Sequence, residues 1–351
     1  MNQAQMNRTA LVYHPDYLLH YAGPGHLEVA TRLSETMSLF EGWGLLEKLE
    51  LIKPEAASRE DILRVHTDRH YTEIKNASNR GGVQLDPDTC ANKNTFEVAL
   101  LAAGGVIEAS NSLLEGRADN SIALVRPPGH HASQDRAMGF CYFNNVAIAV
   151  RHIQEVHGIK KICIVDWDCH ASNGTMDIFS GDKDVLNISL HQDPSSFYPA
   201  RGFAKEMGNS EGLGYQVNVP FQGGAGNSDY QYAFEEFLVP LIDGFDPDFI
   251  FISAGFDSHL LDSISQLRLT DVGYARMAYL LNQLADEKCG GNISLELEGG
   301  YNTEALALSL REIAQVFLGE SEPKHIKDSC SKETVELITQ LKDQFSAYHK
   351  L

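Results

Sequence analysis

The stretch Lys161-Ile162-Cys163-Ile164-Val165-Asp166-Trp167-Asp168-Cys169-His170 decides the fold. A short, continuous apolar run is how a strand buried on both faces of a parallel sheet reads. This one stops abruptly in two carboxylates, a thiol and an imidazole. Four other runs also lead into chemistry-bearing residues. Run 121–125 leads into Arg126-Pro127-Pro128-Gly129-His130-His131, and run 185–190 into His191. Run 249–253 leads through Ala254-Gly255-Phe256 to Asp257, and run 293–298 into Gly299-Gly300-Tyr301. In open α/β sheets, ligands bind beyond the carboxyl ends of the strands. Five clusters at five strand ends therefore predict an active site.

The rest of the chain fits the same plan. A run at 10–13 starts the sheet, and helix-like segments at 96–114, 144–156 and 229–242 alternate with the strands. That alternation predicts an α/β fold with a central parallel sheet between helix layers. Val335, Ile338, Leu341, Phe345 and Tyr348 recur at helical spacing within 332–349, predicting an amphipathic C-terminal helix. Packing onto the body is its first expected role, and a homo-oligomer contact the second. Gly-, Asp-, Asn- and Pro-rich stretches at 79–94 and 193–214 read as surface loops on the rim of the site. No repeat or Pro-rich linker divides the chain, so 1–351 reads as one domain.

Composition narrows the function. With 351 residues and 43% hydrophobic content, the chain has enough apolar material for a real core. A net charge of −20 disfavours nucleic acid and anionic membrane as partners. It favours a cationic small molecule or basic peptide, although solubility alone accounts for many acidic proteins. Six cysteines (Cys90, Cys141, Cys163, Cys169, Cys289, Cys330) form no C-x-x-C pair, so no structural zinc site is expected. Reduced thiols in a cytoplasmic protein fit this pattern. Residues 1–10 are polar and show no secretory signal. No uninterrupted apolar run reaches the roughly 18–20 residues of a membrane span.

Asp168 and His170 stand two apart just past a strand, where side chains face the same way. With Asp257 at another strand end, they make two carboxylates and one imidazole. That set suits zinc or ferrous iron with a position left open for water. An isolated Asp-x-His is more often a helix cap beside a satisfied polar histidine; Asp257 tips the balance. His130 and His131 are either further ligands or a general base with its electrostatic partner. Three ligands already in hand favour the acid–base role. Asp166 is placed to orient one of these histidines, and Asn173 the other. Gly299 and Gly300 permit close backbone approach. There Tyr301 could donate to an oxyanion, although a lone Gly-Gly-Tyr is usually a turn.

In this order, RPPGHHA (126–132), GFCYFNN (139–145), DWDCH (166–170), SLH (189–191), SAGFDSH (253–259) and LEGGYN (297–302) resemble the zinc-dependent histone deacetylase family. That family includes the acetylpolyamine amidohydrolases, and the likeness is to its class II-like members. It covers roughly 11–318 and implies the arginase/deacetylase fold. It also implies one Zn2+ on Asp168, His170 and Asp257, a catalytic pair His130 and His131, Asp166 as partner of the first, and Tyr301 as the catalytic tyrosine. Substrate contacts would be Asp88 on the rim, Phe140 and Tyr198 as opposing walls of an acyl tunnel, and Gly139 at its floor. Potassium would bind at Asp166, Asp168, His170, Ser189 and Leu190. A second potassium would bind at Phe179, Asp182, Val185 and Tyr215.

The resemblance implies removal of acetyl groups from N-acetylated amines, either acetylpolyamines or acetyl-lysine in peptides. The segments 189–199 and 262–270 look like the acetylpolyamine branch. The chain reads His170-Ala171-Ser172-Asn173-Gly174 where family members commonly read His-His-Gly-Asn-Gly. Ser172 thus replaces a glycine that would be free to take positive φ. A dimanganese arginase-like hydrolase needs an acid near Asp257, but His259 stands there. A non-catalytic scaffold should have lost a ligand or the tyrosine, and neither is missing.

Overall fold

The computed structural model describes residues 7–351; residues 1–6, part of the polar N-terminus read above as lacking a secretory signal, lie outside it. Ten strands occur among the described residues: β1 (Thr9–Val12), β2 (Glu50–Ile52), β3 (Val83–Asp86), β4 (Thr89–Ala91), β5 (Asn120–Ala123), β6 (Ile162–Asp166), β7 (Val185–Gln192), β8 (Gln216–Phe221), β9 (Phe249–Ala254) and β10 (Ile293–Leu297). Eight of them form one sheet in the order β2-β1-β5-β10-β9-β6-β7-β8. Every pairing in it is parallel. The fully buried Ile162-Cys163-Ile164-Val165 run sits mid-sheet, as an all-apolar strand must.

One face is covered by the helices Thr95–Leu114 and Asn145–Val156, the other by Thr31–Gly42, Asp271–Lys288 and Thr303–Phe317. Thr95–Leu114 is long and apolar enough by composition to cross a membrane, but 78% of its most apolar window is buried within the protein. Its glycines explain the fit: a Cβ on Gly104 would strike the 55–57 backbone.

Several expectations are corrected. β2 and β8 are absent from the sequence reading. β2 is a three-residue edge strand with Leu51 exposed, and β8 alternates polar and apolar residues and carries Pro220, which edge strands tolerate. The stretch 79–94 is not all loop, because it holds the end of helix Asp68–Arg80 and the antiparallel β3–β4 hairpin. The segment 229–242 is a helix interrupted by a π turn at Phe234–Leu238. The C-terminal helix runs Lys332–Phe345 and buries Thr334, Ile338, Leu341 and Phe345 against the body, whereas Tyr348 falls beyond it and is exposed.

Candidate active site

The site forms where β5, β10, β9 and β6 lie side by side. Each contributes the residues just past its carboxyl end: His130 and His131 after β5, Tyr301 after β10, Asp257 after β9, and Asp168 and His170 after β6. His130, His131, His170 and Tyr301 line a cavity of about 310 Å³ with Asp88, Pro128, Gly139, Phe140, Ser196, Phe197, Tyr198, Ile264 and Gly299, and the buried Asp168 and Asp257 lie against His170.

At the bottom, the ligating atoms of Asp168, His170 and Asp257 all lie within 4.8 Å of one another. His170 Nδ1 is 2.9 Å from Asp168 Oδ1 and 3.4 Å from Asp257 Oδ2. The carboxylates are held by backbone donors. Gly299 N–H donates to Asp168 Oδ2 (2.9 Å), and Cys169 N–H donates to Asp257 Oδ1 (2.9 Å). Asp257 Oδ2 is buried and has no hydrogen-bond partner. A buried carboxylate oxygen left bare is costly in a folded protein, and a divalent cation is the partner this donor set would take. Gly255 and Gly299 make room for it, since a Cβ at either would collide with Asp168 Oδ2. Cys169, not predicted as a ligand, belongs to the same cluster, but burial and the nearby carboxylates push its thiol well above the usual range, so it stays neutral.

The tandem histidines are set apart electrostatically. His130 Nδ1 is 3.0 Å from Asp166 Oδ2, and His131 Nδ1 is 2.7 Å from Asn173 Oδ1. Burial disfavours charge on His130, but Asp166, Asp168 and Glu298 outweigh it and raise its pKa well above the ordinary value. Burial and the neighbouring His130 and His170 hold His131 well below the ordinary value. Because Asn173 Oδ1 accepts from His131 Nδ1–H, the Nε2 lone pair is left free. The result is one cationic and one neutral imidazole side by side, the separation that general acid–base chemistry needs.

Tyr301 lines the cavity, and the Arg32 guanidinium carbon lies 5.1 Å from its ring centroid. Burial and Asp257 push its hydroxyl well above the usual phenol range, so it remains a donor. Its loop is pinned twice. Asp262 Oδ2 accepts from the N–H groups of Tyr301 (2.6 Å) and Asn302 (3.0 Å), and Arg32 donates to the carbonyls of Gly300 (2.6 Å) and Glu298 (2.5 Å). Arg32 is itself paired with buried Glu28, which also binds Arg126.

Around the cavity, Gly139 (φ +56°) and Phe140 (φ 68°) make a left-handed turn, unusual for a bulky side chain. Thr89 Oγ1, from the hairpin, accepts from Phe140 N–H (3.0 Å) and fixes it. Phe197 stacks on His170 with ring centroids 4.9 Å apart, and Tyr198 sits edge-on to His131 at 5.1 Å. Both therefore wall the cavity, and Phe197 is a wall the sequence reading left out. Asp88 lies at the hairpin turn and lines the cavity.

Ser189 is register-paired with Asp166, and its hydroxyl meets His191 Nδ1 at 2.8 Å; Leu190 is the next residue along β7. Phe179, Asp182, Val185 and Tyr215 gather at the entry to β7 and β8, where Phe179 O already accepts from Asp182 N–H and Gln216 Nε2. Ser172 adopts φ −74°, so replacing glycine there introduces no left-handed strain. The geometry brings together every residue expected at the metal, the histidine pair and the tyrosine. Arg32, Glu28, Asp262 and Glu298 were not predicted for the site. Glu28 and Arg32 come from distant sequence with no strand-end signal.

Comparison with known proteins agrees with this geometry. A model of the histone deacetylase domain matches residues 26–317. A probable deacetylase of Archaeoglobus fulgidus is 41% identical over 298 residues, covering 84% of this chain and 82% of the relative. A histone deacetylase-like amidohydrolase of Pseudomonas aeruginosa is 35% identical over 312 residues, covering 84% and 82%. The crystal structure of the HDA15 HD domain superimposes with a TM-score of 0.90 at 36% identity, covering 97% of this chain and 96% of that one. These matches and the fold define a hydrolase of the deacetylase type. The chain belongs to the histone deacetylase family.

Proposed function

We propose that this protein is a zinc-dependent amidohydrolase that removes acetyl groups from N-acetylated amines, either acetylpolyamines or acetyl-lysine in peptides. The observation that carries the reading is Asp257 Oδ2, buried and without a hydrogen bond beside Asp168 and His170, against a cavity lined by His170 and a neutral His131. Zinc held by Asp168, His170 and Asp257 would polarise the acetyl carbonyl and lower the pKa of a bound water towards ~7.

The chain's own groups do the rest. His131 Nε2 takes a proton from the attacking water and later gives it to the leaving amine. His130, kept cationic by Asp166, offsets the negative charge that builds beside it. The Tyr301 hydroxyl donates to the carbonyl oxygen as that atom gains charge. The amide C–N bond then breaks, releasing acetate and the free amine. Phe140, Phe197 and Tyr198 exclude water around the acyl chain, Gly139 lies at the floor, and Asp88, which also lines the cavity, suits a cationic or N–H-bearing substrate.

Potassium at Asp166, Asp168, His170, Ser189 and Leu190 is part of the same proposal. So is a second potassium at Phe179, Asp182, Val185 and Tyr215. Four buried unpaired thiols are in keeping with a reducing, cytoplasmic setting. Acetate release from acetylated amines by the zinc-loaded protein tests the reading. Release that depends on Asp257 supports it, and no release from any acetylated amine refutes it.

A further inference from the structure

A polar row crosses the sheet beneath the site. On β10, Glu296 is register-paired with Ala123 of β5 and Ser253 of β9; Ser253 pairs with Asp166 of β6, and Asp166 with Ser189 of β7. Side chains at equal register in a sheet share a face. Glu296, Ser253, Asp166 and Ser189 are all fully buried. Glu296 has no part in the chemistry described so far, and a carboxyl group in the middle of a sheet is expensive unless something uses it.

Its surroundings say what that is. Glu296 Oε1 accepts from Ser253 Oγ at 3.0 Å, and the same hydroxyl is 3.5 Å from Glu298 Oε1. Ser253 has one proton to give, so it cannot satisfy both carboxyls. Glu298 Oε2 accepts from the N–H groups of Gly129 (2.7 Å) and His130 (3.2 Å). Two backbone donors favour the anion on Glu298. Glu296 Oε2 has no donor. Two neighbouring buried carboxyls cannot both ionise, so the shared proton belongs on Glu296.

We propose that Glu296 is a positioning residue: a neutral carboxylic acid that donates to Glu298, keeps it an anion, and so fixes the Gly129–His130 turn from which both histidines project. The titratable and charged groups facing the pair are Asp166 from β6, Asp168 just past it, His130 from the turn after β5, the neutral Cys141 thiol, and Arg32, which donates to the Glu298 carbonyl. Burial, with Glu298 beside it, pushes Glu296 well above the usual carboxylate range; burial raises Glu298 too, but His130 and the Gly129 and His130 N–H groups oppose it there. The kinetic part rests on the deacetylase reading; the protonation state does not.

Two measurements on the zinc-loaded full chain separate these. Difference infrared spectroscopy at neutral pH should show the carbonyl band of a buried protonated carboxyl, and Glu296→Gln should abolish it. A spectrum unchanged in Glu296→Gln overturns the proposal, whether or not the protein deacetylates anything. In kinetics, Glu296→Gln keeps a donor towards Glu298 and should hold kcat/KM and its pH profile within about twofold. Glu296→Leu removes the donor and should lower kcat about tenfold, the loss expected for one hydrogen bond to a charged group. KM and zinc content should hold, and the acid limb should move to higher pH because Glu298 then protonates more easily. Glu296→Leu with wild-type kcat and acid limb, or Glu296→Gln as damaged as Glu296→Leu, would overturn the positioning role. Should Glu296→Leu fail to fold, Glu296→Met, which also lacks a donor, reads the same link. A lower kcat with retained zinc then supports the proposal, and wild-type kcat refutes it.

Discussion

His131 Nδ1 lies 2.7 Å from Asn173 Oδ1, a neutral acceptor, whereas the adjacent His130 faces the Asp166 carboxylate. Burial and the neighbouring His130 and His170 keep His131 neutral, and a neutral partner at Asn173 leaves that balance in place, whereas a charged one would oppose it. In Asn173→Asp, a negative partner should raise the His131 pKa. The base is then protonated at higher pH, so the acid limb of kcat/KM moves upward. Wild-type His131 sits well below its ordinary value, so its own limb should lie on the acid side of about 6.5. A pH–rate profile of both forms decides. An unmoved limb in Asn173→Asp would remove His131 from the role of base.

Tyr301 should matter through its hydroxyl. Tyr301→Phe keeps the ring beneath Arg32 and Phe140 but removes the donor. Turnover should fall on the order of 10²–10³-fold with little change in KM, as for other oxyanion donors. Near wild-type turnover would contradict the assignment.

The metal should also stabilise the fold. Asp257 Oδ2 accepts no hydrogen bond and has only the His170 imidazole at 3.4 Å near it, so zinc should relieve a buried, poorly compensated charge. At a hundredfold excess over its Kd, zinc should add about 2.7 kcal/mol, seen as a rise in Tm. Asp257→Ala should show a much smaller rise. An equal rise in both proteins would place the ion elsewhere.

His191 makes stability pH-dependent. It is fully buried, with Nε2 2.8 Å from Gly202 O, and burial lowers its pKa to about 4. The unfolded value is near 6.5, so the unfolded chain binds the proton first as pH falls. The contribution is intact above about 6.5 and is lost towards pH 4, at about 1.4 kcal/mol per pH unit. Urea unfolding at pH 7 and pH 5 should show a steeper loss in the wild type than in His191→Gln. Equal losses would contradict this.

Legibility in the sequence followed burial. The central strands β5, β6, β7, β9 and β10 read clearly because both of their faces are covered, leaving runs dominated by apolar, β-forming residues that are unbroken in the Ile162–Val165 and Phe249–Ile252 stretches. The residues past their ends were legible for the same reason: a polar cluster stands out after such a run. β2 and β8 were not legible, because an edge strand needs neither continuous apolarity nor freedom from proline. Arg32 is an ordinary helical arginine in sequence, and only the fold brings its guanidinium to the Gly300 carbonyl. Phe197 and Tyr198 are adjacent, and nothing in the sequence says which one stacks on His170. In the structure, Phe197 does. Glu296 reads as part of a strand, and its meaning comes from register with Ser253 and Asp166.

The most direct measurement is acetate release by zinc-loaded protein from N-acetylputrescine, N-acetylcadaverine and an acetyl-lysine peptide, with Asp257→Ala in parallel. Wild-type turnover of at least one of these, lost in Asp257→Ala, is the predicted result, and the substrate turned over tells polyamine from peptide specificity. No turnover of any of the three with zinc bound, or turnover that survives in Asp257→Ala, would contradict a metal-dependent deacetylase built on Asp168, His170 and Asp257.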